Sequence, residues 1–73
     1  MDRFKDGLHV KVWSREHPLD GMSGRVARLR RADNGAWVEM DEPLPIDLRR
    51  FPEGDSRTKH ILLYPDECVS VAG

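Results

Sequence analysis

From Leu8 to Trp13 apolar and polar residues alternate, with Leu8, Val10 and Val12 on one face and His9, Lys11 and Trp13 on the other. Period-two alternation is the mark of a half-buried strand, so a first strand is predicted over residues 8–13. Turn formers crowd the stretch from Ser14 to Met22, with Pro18, Asp20 and Gly21 among them, and predict a loop. A second strand is predicted over residues 24–31. Within it Val26 and Leu29 are three apart, which breaks strict alternation, and a β-bulge would let both point inward. Asn34-Gly35 then separates two alternating runs, a strong signal for a type I′ hairpin turn because both residues tolerate positive φ. The third strand is predicted over residues 36–41, with Ala36, Val38 and Met40 inward.

Between Glu42 and Lys59 the pattern dissolves into Pro43, Pro45, Pro52, Gly54 and many charges. A loop of this length is uncommon in a compact domain and is usually functional or mobile. Inside it, Ile46 to Phe51 reads either as one helical turn or as an extension of the sheet. Residues 60–64 form a predicted fourth strand. Pro65-Asp66-Glu67 reads as a 3₁₀ turn, since Pro65 fixes its own φ and lacks a donor. A short fifth strand follows over residues 68–71. Five short strands with no long helix predict an all-β domain spanning residues 1–73, its sheet closed on itself as a barrel. The expected core is Leu8, Val10, Val12, Val26, Leu29, Val38, Met40, Ile61, Leu63, Val69 and Val71.

Size and charge narrow the functions open to such a chain. Seventy-three residues suffice for one domain with little volume for an enclosed ligand cavity. Twelve basic and thirteen acidic residues give a formal charge of -1, without the bulk basicity that usually announces a nucleic-acid partner. Cys68 is the single cysteine, so neither an internal disulfide nor a thiolate metal cluster is expected, and small secreted domains lean on such staples. Residues 1–10, with Asp2, Arg3, Lys5 and Asp6, do not read as a signal peptide. Apolar runs of only a few residues are too short for a helical membrane span. The expectation is a cytoplasmic domain, monomeric or weakly self-associating.

The order of an alternating strand, a Gly-x-x-Gly-x-Val turn at Gly21 to Val26, a hairpin, and an ending Tyr64-Pro65-Asp66-Glu67-Cys68-Val69 resembles the SH3-like small barrels of bacteria and plastids. The first half is similar to a KOW element of ribosomal and transcription proteins. The whole layout resembles the variable chain of ferredoxin–thioredoxin reductase, and the ending is similar to the last turn and strand of signalling SH3 domains. The resemblance spans residues 7–71 and implies a five-stranded SH3-like barrel. It lacks the acidic aromatic segment that lines the proline-peptide groove of signalling SH3 domains. The basic flanks of KOW proteins are also missing, apart from Arg25, Arg28, Arg30 and Arg31.

Candidate chemistry is sparse. His9, His17 and His60 have no ligand spacing for a metal, and His9 and His60 are expected on outward faces. Ser14, Ser23, Ser56 and Ser70 sit in no nucleophile setting. Cys68 is expected to be buried as a small hydrophobe. Gly21 and Gly24 precede no helix, so they read as a sharp turn into a bulged strand rather than a phosphate cradle. No catalytic residue, metal or cofactor is therefore expected. Two surfaces remain. Arg25, Arg28, Arg30 and Arg31 could track a phosphate backbone beside Trp37, or be neutralised across the hairpin by Glu39 and Asp41. Trp13 and Trp37 face away from the apolar residues of their own strands, and so either cap an open end or mark an interaction surface. The expected function is a protein-binding or accessory-subunit module using Trp13, Trp37, Glu39, Phe51 and Tyr64. The alternative is a KOW-like RNA- or DNA-binding domain using the four arginines.

Overall fold

A computed structural model describes residues 3–51 and 57–71. Its elements are β1 (His9–Val12), β2 (Ser23–Arg30), β3 (Gly35–Met40), a 3₁₀ turn (Ile46–Leu48), β4 (His60–Leu63), a second 3₁₀ turn (Pro65–Glu67) and β5 (Cys68–Ser70). All five strands join one antiparallel sheet in the order β4-β3-β2-β1-β5. The predicted strands and the 3₁₀ turn before the last one are all present, each within a residue or so of its expected limits. Closure is not. β4 and β5 are the two edges and share no ladder, so hydrogen bonds do not complete a barrel. Side chains from outside the sheet cover the inner face instead: Phe4 from the leading segment, Leu19 from the 14–22 loop and Leu44 from the segment after β3.

The bulge lies where the broken alternation placed it. Val26 pairs with Val38 and Arg28 with Trp37, leaving Ala27 as the extra residue. Val26 is thus buried while Leu29, opposite Ala36, packs partly buried against the same core. An unbulged strand would have turned one of the two to solvent. Gly24 sits buried between Val10 of β1 and Met40 of β3. A Cβ there would lie 2.5 Å from the Glu39 carbonyl oxygen and 2.8 Å from the Met40 Cα. The main chain of β3 occupies the space a side chain would need.

The β2–β3 hairpin exists, but its turn is not type I′. Arg30 pairs with Gly35, so the loop is the four residues 31–34. Asn34 alone takes positive φ, at 62°. Gly35 belongs to the strand, and its N–H donates to the Asp33 Oδ1 at 3.2 Å. The short Asp33 side chain mimics a backbone acceptor and sets a longer turn. Position 35 is also tight: a Cβ would stand 3.0 Å from the Tyr64 ring, which would have to give by a few tenths of an ångström.

Val69 is misplaced in the expected core. Val12 faces Cys68 and Val10 faces Ser70 across the β1–β5 ladder, while Lys11 faces Val69. Directly opposed residues share a sheet face. With Val10 and Val12 wholly buried, Cys68 turns inward at 3% exposure and Val69 outward at 38%. A one-residue difference in phase exchanges the two faces, and three residues are too few for alternation to fix it. Val71 is half-buried just beyond the strand.

The first part of the 42–59 loop is docked. Leu44 is buried, its N–H donates to the Thr58 carbonyl at 2.9 Å, and its own carbonyl accepts from the Arg49 Nε at 2.9 Å. The Met40 N–H bonds the Lys59 carbonyl, and the Arg50 N–H bonds the His60 carbonyl. Residues 46–51 resolve into one 3₁₀ turn followed by extended chain tied to β4. The 42–59 segment as a whole is expected from its sequence to be mobile, and residues 52–56 of it lie outside the described residues.

Candidate partner-binding face

Trp37 projects from β3 onto the outer face, with Arg28 of β2 opposite on one side and Leu62 of β4 on the other. The same face carries Arg25, Glu39 and His60 one step along the ladders. The docked 44–51 segment brings Phe51 over this row. Its ring meets that of His60 edge-on, centroids 4.5 Å apart, and lies 6.4 Å from the Trp37 ring. The Arg57 guanidinium stands 4.4 Å from the other aromatic centroid, that of Phe51.

The outcome for His60 differs from expectation. It lies on the outer side of the sheet but is only 4% exposed, because Phe51 covers it. Its Nε2 is 3.6 Å from the Glu39 Oε2. Alternation finds the side of the sheet but not what a later loop lays over it.

Beside Trp37 opens a groove of about 450 Å³ lined by Trp37, Phe51, Leu62 and Leu48, with Arg30, Arg50 and Asp47 at its margin. Trp37 and Phe51 are half-buried. Each ring is therefore partly ordered by its neighbours, Arg30 beside Trp37 and Arg57 beside Phe51, and partly exposed, which lets an aromatic anchor a partner without first being ordered. Exposed Ile46 stands on the adjoining 3₁₀ turn.

Two of the four arginines, Arg30 and Arg25, have partners within the molecule. Arg30 sits 5.8 Å from the Trp37 ring centroid, and its Nε is 3.5 Å from the Asp33 Oδ1. Arg25 stands opposite Glu39 and donates to the Gly7 carbonyl at 3.5 Å. Arg28 and Arg31 are exposed. The Tyr64 hydroxyl donates to the Asp33 Oδ2 at 2.9 Å, so Tyr64 latches the hairpin loop to the end of β4. Desolvation acts to raise the Asp33 carboxyl. The Tyr64 hydroxyl, the Gly35 N–H and the Arg30 charge outweigh it and hold the group below its ordinary range. The same hydrogen bond, with desolvation, pushes the Tyr64 phenol up.

Of the expected partner-binding residues, the fold brings together Trp37, Phe51 and, through His60, Glu39. Tyr64 serves the neighbouring latch. Trp13 stands apart, 65% exposed beyond β1, with the Lys11 ammonium 5.5 Å from its ring and its N–H bonded to the Glu67 carbonyl. The sequence reading missed Leu48, Arg50, Asp47 and Leu62. Leu62 was available from alternation within 60–64. The other three depend on where the segment after β3 folds back, for which the sequence carries no period.

Burial pushes the Cys68 thiol up to about 12, helped by Glu67 and Asp66. His17 is spoken for as well. Its Nδ1 accepts from the Leu19 N–H at 3.0 Å and its Nε2 lies 3.7 Å from Glu67. Among the described residues no three His, Cys, Asp or Glu side chains converge as a metal site would require, and no helix is long and apolar enough to cross a membrane. No protein-family model matches the chain, and neither a curated protein nor a solved structure matches it significantly.

Proposed function

We propose that this chain is a non-enzymatic binding module, an adaptor or accessory subunit that captures a protein partner on the outer face of β3 and β4. The observation that carries the reading is the groove beside Trp37, lined by Trp37, Phe51, Leu48 and Leu62. Aromatic anchors of this kind dominate protein–protein interfaces. The layout of strands, with β5 returning beside β1 after a 3₁₀ turn, supports an SH3-like small-barrel relationship. An accessory role like that of the reductase variable chain agrees with the near-neutral charge.

The alternative of a KOW-like nucleic-acid binder draws support from Arg28, which is exposed directly opposite Trp37. Against it, Asp33 pairs with Arg30 and Glu39 faces Arg25, which weakens the field a phosphate chain would feel. The test is a titration with generic single-stranded and duplex oligonucleotides at low and moderate salt. Nucleic-acid binding would show a slope of about 0.7–0.9 log units per phosphate contact, reduced when Arg28 and Arg30 become alanine. A protein-binding module gives no measurable oligonucleotide affinity with either form. Micromolar binding of generic RNA at physiological salt would reject the proposal.

A further inference from the structure

A second concave surface lies at the hairpin end of the sheet and meets the Trp37 groove only at Arg30. The leading segment runs past the β2–β3 hairpin and leaves an open groove of about 550 Å³, floored by Phe4 and Leu29 and rimmed by Arg3, Lys5, Arg30 and Arg31. Asp6 is one carboxylate on that rim. Asp33, paired with Arg30, is a second, and four cationic side chains against two carboxylates still stand out in a chain whose formal charge is -1. The rest of the molecule must then be clearly acidic, so the charge is polarised toward this end. Arg3, Lys5 and Arg31 are exposed, whereas Arg30 is drawn toward Asp33.

We propose that this groove binds an acidic peptide segment that lays one aliphatic side chain on the half-buried Leu29 while its flanking carboxylates meet Arg3, Lys5 and Arg31. Charge complementarity selects the acidic partner, and the apolar floor selects a segment that is not acidic throughout. A nucleic-acid strand fits less well. Phe4 is 4% exposed and offers no ring face on which a base could stack, the usual source of affinity for single strands.

The proposal does not depend on the Trp37 face, and its test reads a different surface. A fluorescein-labelled peptide Asp-Glu-Leu-Glu-Asp, the same peptide with Ser in place of Leu, and a labelled oligouridylate of matched charge are titrated into the whole chain by anisotropy at near-physiological salt. The leucine peptide should bind, and the serine peptide should bind about tenfold more weakly, having lost one side chain's burial. Lys5→Glu and Arg31→Glu should each weaken the leucine peptide by about tenfold. Arg3→Glu provides a third position should either variant be poorly folded by circular dichroism. Arg15→Glu makes the same change of net charge at an exposed position of the 14–22 loop and should leave binding intact. Failure of the leucine peptide to bind would overturn the proposal, as would equal affinity for the serine peptide. Tighter binding of the oligouridylate would overturn it too, and so would an equal loss in Arg15→Glu.

Discussion

Replacing Gly24 with alanine adds one methyl group at a point where the fold has no room for it. The new Cβ would stand 2.5 Å from the Glu39 carbonyl oxygen and 2.8 Å from the Met40 Cα, both main-chain atoms that no rotamer change can remove. An ordinary carbon–oxygen contact is near 3.3 Å, so β3 would have to retreat by most of an ångström (about 0.8 Å). Glu39 is held from both sides, by Arg25 of β2 and His60 of β4. A retreat of β3 therefore weakens one or two ladder hydrogen bonds at about 1 kcal/mol each, and adds overpacking strain of about 1–3 kcal/mol. The expected loss is about 2–4 kcal/mol. A domain of this length has a total stability of only about 4–11 kcal/mol, so the variant should be close to the edge of folding. Urea denaturation followed by far-ultraviolet circular dichroism should show a much lower midpoint with an unchanged slope. Gly21→Ala is the informative comparison. Its Cβ would meet nothing within 4 Å, but its φ is +91°, so it should lose about 1–2 kcal/mol from backbone strain alone. A Gly24→Ala midpoint equal to that of the parent would refute the close approach of β3 to β2.

Three further outcomes follow from the same geometry. Val38→Ala empties a wholly buried site between Val26 and Ile61 and should cost about 2 kcal/mol in the same denaturation assay, through lost burial and an incompletely collapsed cavity; a neutral result would contradict the strand pairing. The Asp33–Tyr64 latch should give pH dependence at both ends of the scale. Asp33, lowered in the fold, adds stability that is present above its unfolded pKa of about 3.9 and lost as pH falls through the folded value. Tyr64, raised in the fold, adds stability present below about 10 and lost as pH rises through its folded value. Melting temperatures across pH should therefore show both effects in the parent, and Tyr64→Phe should weaken both, leaving at alkaline pH the part that comes from the raised Cys68 thiol. Finally, the native Cys68 thiol, buried and pushed up to about 12, should resist alkylation near neutral pH until the protein is unfolded, as mass spectrometry of iodoacetamide-treated samples would record; rapid native labelling would contradict its burial.

The fold was legible wherever a strand was long enough for its period to speak. Eight residues of β2 carried both the alternation and its interruption at Ala27, and the bulge followed. The three residues of β5 did not, and Val69 was put on the wrong face. The Asn34-Gly35 pair marked the hairpin correctly but suggested the wrong turn, because the Asp33 side chain competes as an acceptor and makes the loop two residues longer. Five short strands without a long helix, and the resemblance to small barrels, imply closure, but neither says whether the two edges meet. Phe4, Leu19 and Leu44 complete the core from outside the strands, and single apolar residues in turn-rich segments carry no periodic signal. The candidate face was half visible. Trp37 was placed outward by alternation, whereas the burial of His60 and the groove beside Trp37 depend on a return of the chain from residue 44 to residue 51 that only tertiary structure supplies.

Amide shift mapping of the labelled domain with a protein partner recovered from the native host tests the central proposal most directly. The Trp37 indole N–H and the amides of Leu62, Phe51, Arg50 and Leu48 should move on addition of the partner, and Trp37→Ala, folded by circular dichroism, should abolish the response. Shifts confined to Trp13 and Val69, or to the hairpin arginines with Trp37 unmoved, would contradict the assignment of the β3–β4 face as the binding surface.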